Sequence, residues 1–222
     1  MPEAGCLVTD GLIWLPLFVG TAILLLGRFT LFRLRLAGRG PPIPGLPSIK
    51  SLLHHGRYRG IPVRFVEGLD HDGGAFRRTG GRGAILLRAD LAERADIDAL
   101  AILEHELGHA ERDLPAPRIL RRAIGALFVA GLGVAALEPS YARVGALAMQ
   151  IAVAIAALRL LRDEGAATEY ALRALWARDL PRRAWRAAIS RLAAAFGTYC
   201  ADVALVAAAV GALTVVLECR AV

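Results

Sequence analysis

The sequence predicts a mainly α, membrane-embedded protein of about four transmembrane helices, with a small α+β region that carries a metal site. Three observations lead there. Of the 222 residues, 56% are hydrophobic, and the mean hydropathy of +0.48 is high for a water-soluble chain. The basic residues fall almost entirely on one side of the apolar segments. One apolar, helix-favouring stretch, 103–110, reads Leu-Glu-His-Glu-Leu-Gly-His-Ala and contains His-Glu-x-x-His.

Residues 11–27 run without a charge, and with the residues just before them they give a first span at 7–27. Its length matches the ~20 residues that a bilayer core requires. No basic stretch precedes it, which argues against a cleaved signal peptide. Arg28, Arg33, Arg35 and Arg39 follow at once, so the chain continues on the cytoplasmic side. Residues 28–60 form a basic linker, and Pro41, Pro42, Pro44 and Pro47 forbid a continuous helix there. Residues 61–66 alternate as a short strand, 67–83 are rich in turn signals, and 84–88 read as a second strand. These suggest a small sheet or hairpin ahead of the motif helix. The glycines at 80, 81 and 83 lack the Gly-Lys-Ser/Thr of a phosphate loop and read as a flexible turn.

Asp96 or Asp98 can cap a helix that runs through Leu100, Leu103 and Leu107 to about Arg112, where the prolines at 115 and 117 stop it. Residues 61–117 thus hold the strands and the motif helix. A hydrophobic helical hairpin follows at 118–161, built on uncharged runs at 123–137 and 144–158. Each run is short for a span, but both lack charge on every face, so membrane crossing is expected. The competing reading is a buried hairpin in a soluble domain. Residues 162–199 are charged and helical in pattern. Asp179 and Pro181 begin a helix with Trp185, Ile189, Leu192 and Phe196 on one side, suited either to a membrane surface or to ordinary packing. A last span occupies 200–219.

The net charge of +7 comes from 26 Arg and the single Lys50. Residues 28–122 hold 17 of these and 162–200 hold seven, whereas 138–143 and the tail after the last span hold one each. A four-span layout with both ends outside therefore puts nearly all the basic charge in the cytoplasm. The charge needs a lipid bilayer as partner and no nucleic acid. Cys6, Cys200 and Cys219 form no Cys-x-x-Cys. Cys6 and Cys219 share the outer side in this layout, though no spacing rule pairs them.

On a helix, His105 and His109 lie one turn apart on one face and can offer two nitrogens to a single zinc ion, with Glu106 beside them as general base. A third ligand must come from a segment that returns to this helix. Glu164 follows the hairpin, which leaves the cytoplasmic surface and comes back to it. Asp163 and Glu169 compete for the role. His54 and His55 read as solvent-facing. His71, between Asp70 and Asp72, reads as a polar turn and only weakly as a second metal site.

His-Glu-x-x-His, a hydrophobic helical pair and then Glu164-Gly-Ala-Ala-Thr168 together resemble membrane-bound zinc metallopeptidases of the HtpX-like and YugP-like (neutral zinc metallopeptidase) kind. In that family the later motif reads Glu-x-x-Ala-Asp or Glu-x-x-Ala-Ser. Thr168 stands here in place of the Asp or Ser, a departure that bears on support of a ligating histidine. The order of parts covers most of the chain; the two short motifs carry the specificity. The resemblance implies a gluzincin-like region and one Zn2+ per chain on His105, His109 and Glu164. It implies endopeptidase activity on a protein or peptide substrate, with Glu106 as base. The edge of strand 84–88 would hold the extended peptide. Tyr170 and Arg173 are candidate oxyanion donors, and Asp113 is a candidate acid behind a ligand. The expected location is a plasma membrane of bacterial type, with the site on the cytoplasmic face. The alternative, raised by Thr168, is a zinc-binding membrane sensor or scaffold without peptidase activity.

Overall fold

A computed structural model of the chain describes residues 19–31, 40–55, 60–69, 73–79, 82–111 and 118–220. The described protein is mainly helical with one small sheet. In chain order the elements are α1 (Val19–Leu31), α2 (Ile49–His55), β1 (Val63–Val66), β2 (Gly74–Thr79), β3 (Arg82–Arg88), a 3-10 turn (Ala89–Leu91), α3 (Ile97–Glu111), α4 (Arg118–Leu137), α5 (Ala142–Trp176) and α6 (Arg182–Arg220). Among the described residues, three helices are long and apolar enough to cross a membrane: Ile119–Leu137, Ala142–Trp176 and Arg182–Thr214. The first expected span is described only from Val19, as the shorter apolar helix α1. Cys6, His71 and Asp113 lie outside the described residues, as does the side chain of Cys219.

The chain divides into two compact units. One comprises Gly27–Leu114 and Asp163–Phe196. Its sheet has the order β1-β3-β2, with β1 parallel and β2 antiparallel to β3. This corrects the strand reading twice. The turn-rich stretch 67–83 contains a strand, β2. Residues 84–88 lie in the middle strand, paired on both sides, so β3 offers no free edge. Ile85 and Leu87 alternate onto the inner face and are fully buried with Leu100 and Leu103 of α3. Burial of each such side chain contributes about 1.5–3 kcal/mol.

Of the two candidate caps for α3, Asp96 takes the role. Its Oδ1 accepts the N–H groups of Asp98 and Ala99, each at 3.1 Å, and Arg94 clamps its carboxylate at 2.7 and 2.8 Å. Such a cap contributes about 1 kcal/mol. Asp98 instead faces inward, where Arg191 of α6 meets it at 3.2 Å. From α5 and α6 the core receives Ala171, Leu175, Ala184, Ala188 and Leu192. The stretch 182–199 therefore belongs to a packed amphipathic helix. Its buried stripe is small (alanines at 184 and 188), while Ile189 is 40% exposed.

The second unit comprises Met1–Leu26, Pro115–Arg162 and Gly197–Val222. Here α4 and the start of α5 form a hairpin. A Cβ on Gly131 would lie 2.7 Å from the Gly145 carbonyl oxygen, and one on Gly145 would lie 2.7 Å from the Ala135 nitrogen. Small residues on facing helices permit this approach, as they do between membrane helices. Ala135, Met149 and Val210 are buried, while Leu137, Val144, Leu147 and Leu158 stay exposed. Exposed apolar side chains on this scale suit contact with lipid.

Candidate metal centre

The 3.6-residue period of α3 stacks His105 and His109 on one face, with ring centroids 4.8 Å apart and planes nearly perpendicular. Glu164 meets them from α5. Its Oε2 lies 3.3 Å from His105 Nε2 and 3.5 Å from His109 Nε2. Gly108 explains how α5 comes so close. A Cβ there would stand 2.8 Å from both Cα and the carbonyl oxygen of Ala167. Ala167 lies three residues after Glu164 on the same buried face, so this crossing of small residues delivers the carboxylate to the histidines. Asp163 and Glu169 are exposed, and Glu169 pairs with Arg173. Among the described residues, His105, His109 and Glu164 are the group able to hold a metal ion, with one ligand atom from each all within 4.8 Å.

The donor set fits zinc. Two imidazole nitrogens and a carboxylate oxygen are donors that zinc takes, and ligand atoms on one tetrahedral ion stand about 3.3–3.4 Å apart; the two contacts to Glu164 are close to this, while the group as a whole lies within 4.8 Å. Charge-assisted N–H···O bonds run to ~2.7–2.9 Å, shorter than either contact. Glu164 Oε2 and His105 Nδ1 are both buried without a hydrogen-bond partner. Glu164 Oε2 thus faces the Nε2 atoms of both imidazoles at ion-pair distance.

Glu106 is buried beside this triangle. Burial raises its pKa above the ordinary carboxylate value, and the Glu164 charge adds to this, while both imidazoles and the backbone N–H of Phe76 oppose it. Its Oε2 is buried with no hydrogen-bond partner. For His109, burial disfavours the charged form, but the carboxylate of Glu164 outweighs that and raises the pKa.

The other candidates fall elsewhere. Tyr170 is half-buried against the core and packs near Gly108. Arg173 is exposed and bonded to Glu169. Thr168 is half-buried, and its Oγ1 has no hydrogen-bond partner. His54 Nδ1 lies 2.8 Å from the Lys50 carbonyl oxygen, on the surface.

Sequence reasoning missed three contributors. Glu104, fully buried, meets Arg178 at 2.7 Å. An acid inside an apolar helical run was the available signal; its partner, 74 residues away, left none. Gly108 and Gly74 permit close packing that only the tertiary structure reveals.

Fold and site together define a mainly helical protein with, among the described residues, three apolar helices of membrane-spanning length and a His2Glu cluster able to hold a metal ion. No family model matches the chain, and neither a curated protein nor a solved structure matches it.

Proposed function

We propose that the protein is a membrane-anchored zinc-dependent endopeptidase. His105, His109 and Glu164 would hold the ion. When bound, zinc supplies a Lewis acid that polarises the scissile carbonyl and makes water acidic enough to deprotonate near neutral pH. Glu106 takes the proton from the attacking water and returns it to the leaving amine. Its raised pKa suits a group that must accept a proton and then release it. An extended substrate would pair with the outer edge of β2, the strand beside α3, in the role first expected of residues 84–88.

The observation that carries this reading is Glu106 itself. It is a buried carboxylate next to the ligand triangle, with one oxygen unpartnered. A site that only stores or senses zinc has no use for such a group. The further expectations are four spans, a gluzincin-like relationship to HtpX-like and YugP-like proteins, and a cytoplasmic site. They rest on the two motifs and the arginine distribution.

The test is metal content and casein cleavage by the purified full-length protein in detergent. Wild type should bind one zinc and cleave. Glu106→Gln should bind zinc and lose cleavage by ~10²-fold or more. Zinc bound by both with cleavage by neither would favour the sensor reading instead.

A further inference from the structure

Helix α5 ends in a tight turn that leads directly into α6. The N–H groups of Ala177, Arg178 and Asp179 donate to the carbonyls of Arg173, Leu175 and Trp176 and close the last turn of α5. Asp179 adopts φ 48°, a left-handed conformation that aspartate visits more readily than most residues. The Pro181 carbonyl then accepts the Trp185 N–H at 3.0 Å and opens α6. This turn sets Trp176 against Trp185, with ring centroids 5.4 Å apart and planes at 68°.

The pair is not sealed inside. Trp185 packs on the core, but Trp176 is 72% exposed, and Ile189, one turn beyond Trp185, is 40% exposed. Tryptophan is ordinarily well buried, and exposed apolar groups gathered beside polar ones mark a contact surface. On α6 the spacing of Arg182, Trp185, Arg186 and Ile189 puts them on one face, and both arginines are exposed. Their neighbours Arg173, Arg178 and Arg191 each meet a carboxylate, on Glu169, Glu104 and Asp98. Among the described residues no carboxylate pairs with Arg182 or Arg186, and Asp179 is the single acid between Trp176 and Arg191.

We propose that this corner is a docking surface for an acidic, apolar-rich segment of a polypeptide substrate. Arg182 and Arg186 take its carboxylates, and Trp176, Trp185 and Ile189 take its apolar side chains. Trp and Arg are the residues that most often dominate binding at such surfaces. A bilayer fits less well. A helix lying on lipid turns its apolar face outward, whereas α6 turns Ala184, Ala188 and Leu192 into the core. Along α5, Trp176 stands about 18 Å from Glu164. About five or six extended residues cover that distance, so a docked segment holds the adjoining chain within reach of the metal centre. That recruiting role rests on the peptidase reading; the docking does not.

Docking is read by titrating the full-length protein, in phosphatidylcholine nanodiscs, against a fluorescein-labelled peptide that alternates glutamate with leucine and phenylalanine. Fluorescence anisotropy should report binding by wild type. The double change Arg182→Glu with Arg186→Glu, and Trp176→Ser by itself, should each weaken it about 10-fold or more. Because these side chains are exposed, Tm and zinc content should stay at the wild-type values. Equal affinity in wild type and both variants, or no binding by wild type, would overturn the proposal. So would a blue shift of tryptophan emission on exchanging phosphatidylcholine for phosphatidylglycerol that vanishes in the double arginine variant, since it would seat lipid on this surface.

Recruitment is read by comparing casein with casein that carries the same peptide at its C-terminus. The peptide should lower KM about 10-fold in wild type at unchanged kcat, and not in the double arginine variant. An equal drop in both would overturn the recruiting role. A wild type that binds the peptide and cleaves nothing would overturn the peptidase reading alone and leave the docking surface standing.

Discussion

Each residue of the cluster should fail in its own way when changed. His105→Ala, His109→Ala and Glu164→Ala each remove a donor from a group that offers only three. Zinc that survives dialysis in wild type should be lost in all three variants, whereas Glu106→Gln should retain it, as metal analysis will show. Retention of one zinc by Glu164→Ala would point to another carboxylate, such as Asp163. Proton linkage gives a second check. The folded-state pKa of His109 is raised above its ordinary value of about 6.5; burial opposes this, and Glu164 outweighs it. In the metal-free protein, the stability gained from this group is full below the unfolded pKa and is lost as pH rises through the folded one. Zinc requires neutral imidazole, so its contribution has the opposite sign and grows with pH. From about pH 6 to about pH 8 the zinc-induced rise in Tm should increase, as thermal melts with and without zinc will measure. A zinc increment that stayed flat would count against His109 as a ligand.

At the scale of elements, two contacts decide whether α3 and α5 present the cluster. Gly108→Ala would put a methyl 2.8 Å from the backbone of Ala167. Overpacking at such a crossing costs about 1–3 kcal/mol, and the same displacement moves Glu164 away from the histidines. Zinc affinity measured by competition with a chelator should fall about 10–100-fold, more than in a variant of equal Tm altered at the core residue Leu175, about three turns along α5 from Glu164. The Glu104–Arg178 pair makes the converse point. Breaking it with Arg178→Met removes the ion partner of a fully buried carboxylate and should cost about 3–5 kcal/mol, while Glu104→Met with Arg178→Met should recover most of this. Denaturant melts of the single and double variants will check it.

These contacts also mark where the sequence stops being legible. The period of α3 and the delivery of Glu164 after a hairpin could be read directly, because helical spacing and hydropathy are local signals. Strand β2 could not. Its Gly73 and Gly74 are turn signals locally, and they sit where they do because of Glu106 and Ile102 on another element. The placement of β3 between β1 and β2 was equally hidden, since a parallel pairing across 67–83 leaves no mark on the residues that pair. The buried stripe of α6 was legible in part: Leu192 is buried and Trp185 packs on the core as its spacing suggested, but Ala184 and Ala188 are buried with them and Ile189 is 40% exposed.

At the scale of the whole molecule, hydropathy and charge make a joint statement about sidedness. The connection between α4 and α5 carries no basic residue and the first turn of α5 a single arginine, Arg143, while the segment after α5's apolar run carries Arg159 and Arg162 at once. Positive residues close to a span hold it back from translocation, so the arrangement favours 138–141 outside and Glu164 inside. The two positions needed for a test are exposed: Ser140 in the short connection and Glu169 on the charged part of α5. With Cys6, Cys200 and Cys219 first changed to serine, Ser140→Cys should react with an impermeant maleimide in intact cells, whereas Glu169→Cys should react only after lysis. The reverse pattern would put the candidate metal centre on the outer face and leave the arginine excess unexplained by the positive-inside rule. Labelling of both positions in intact cells would mean that the hairpin does not cross the bilayer, and its exposed Val144, Leu147 and Leu158 would need another partner. Labelling of neither before lysis would keep the hairpin wholly inside, with the same unmet need. The expected pattern alone gives those side chains lipid.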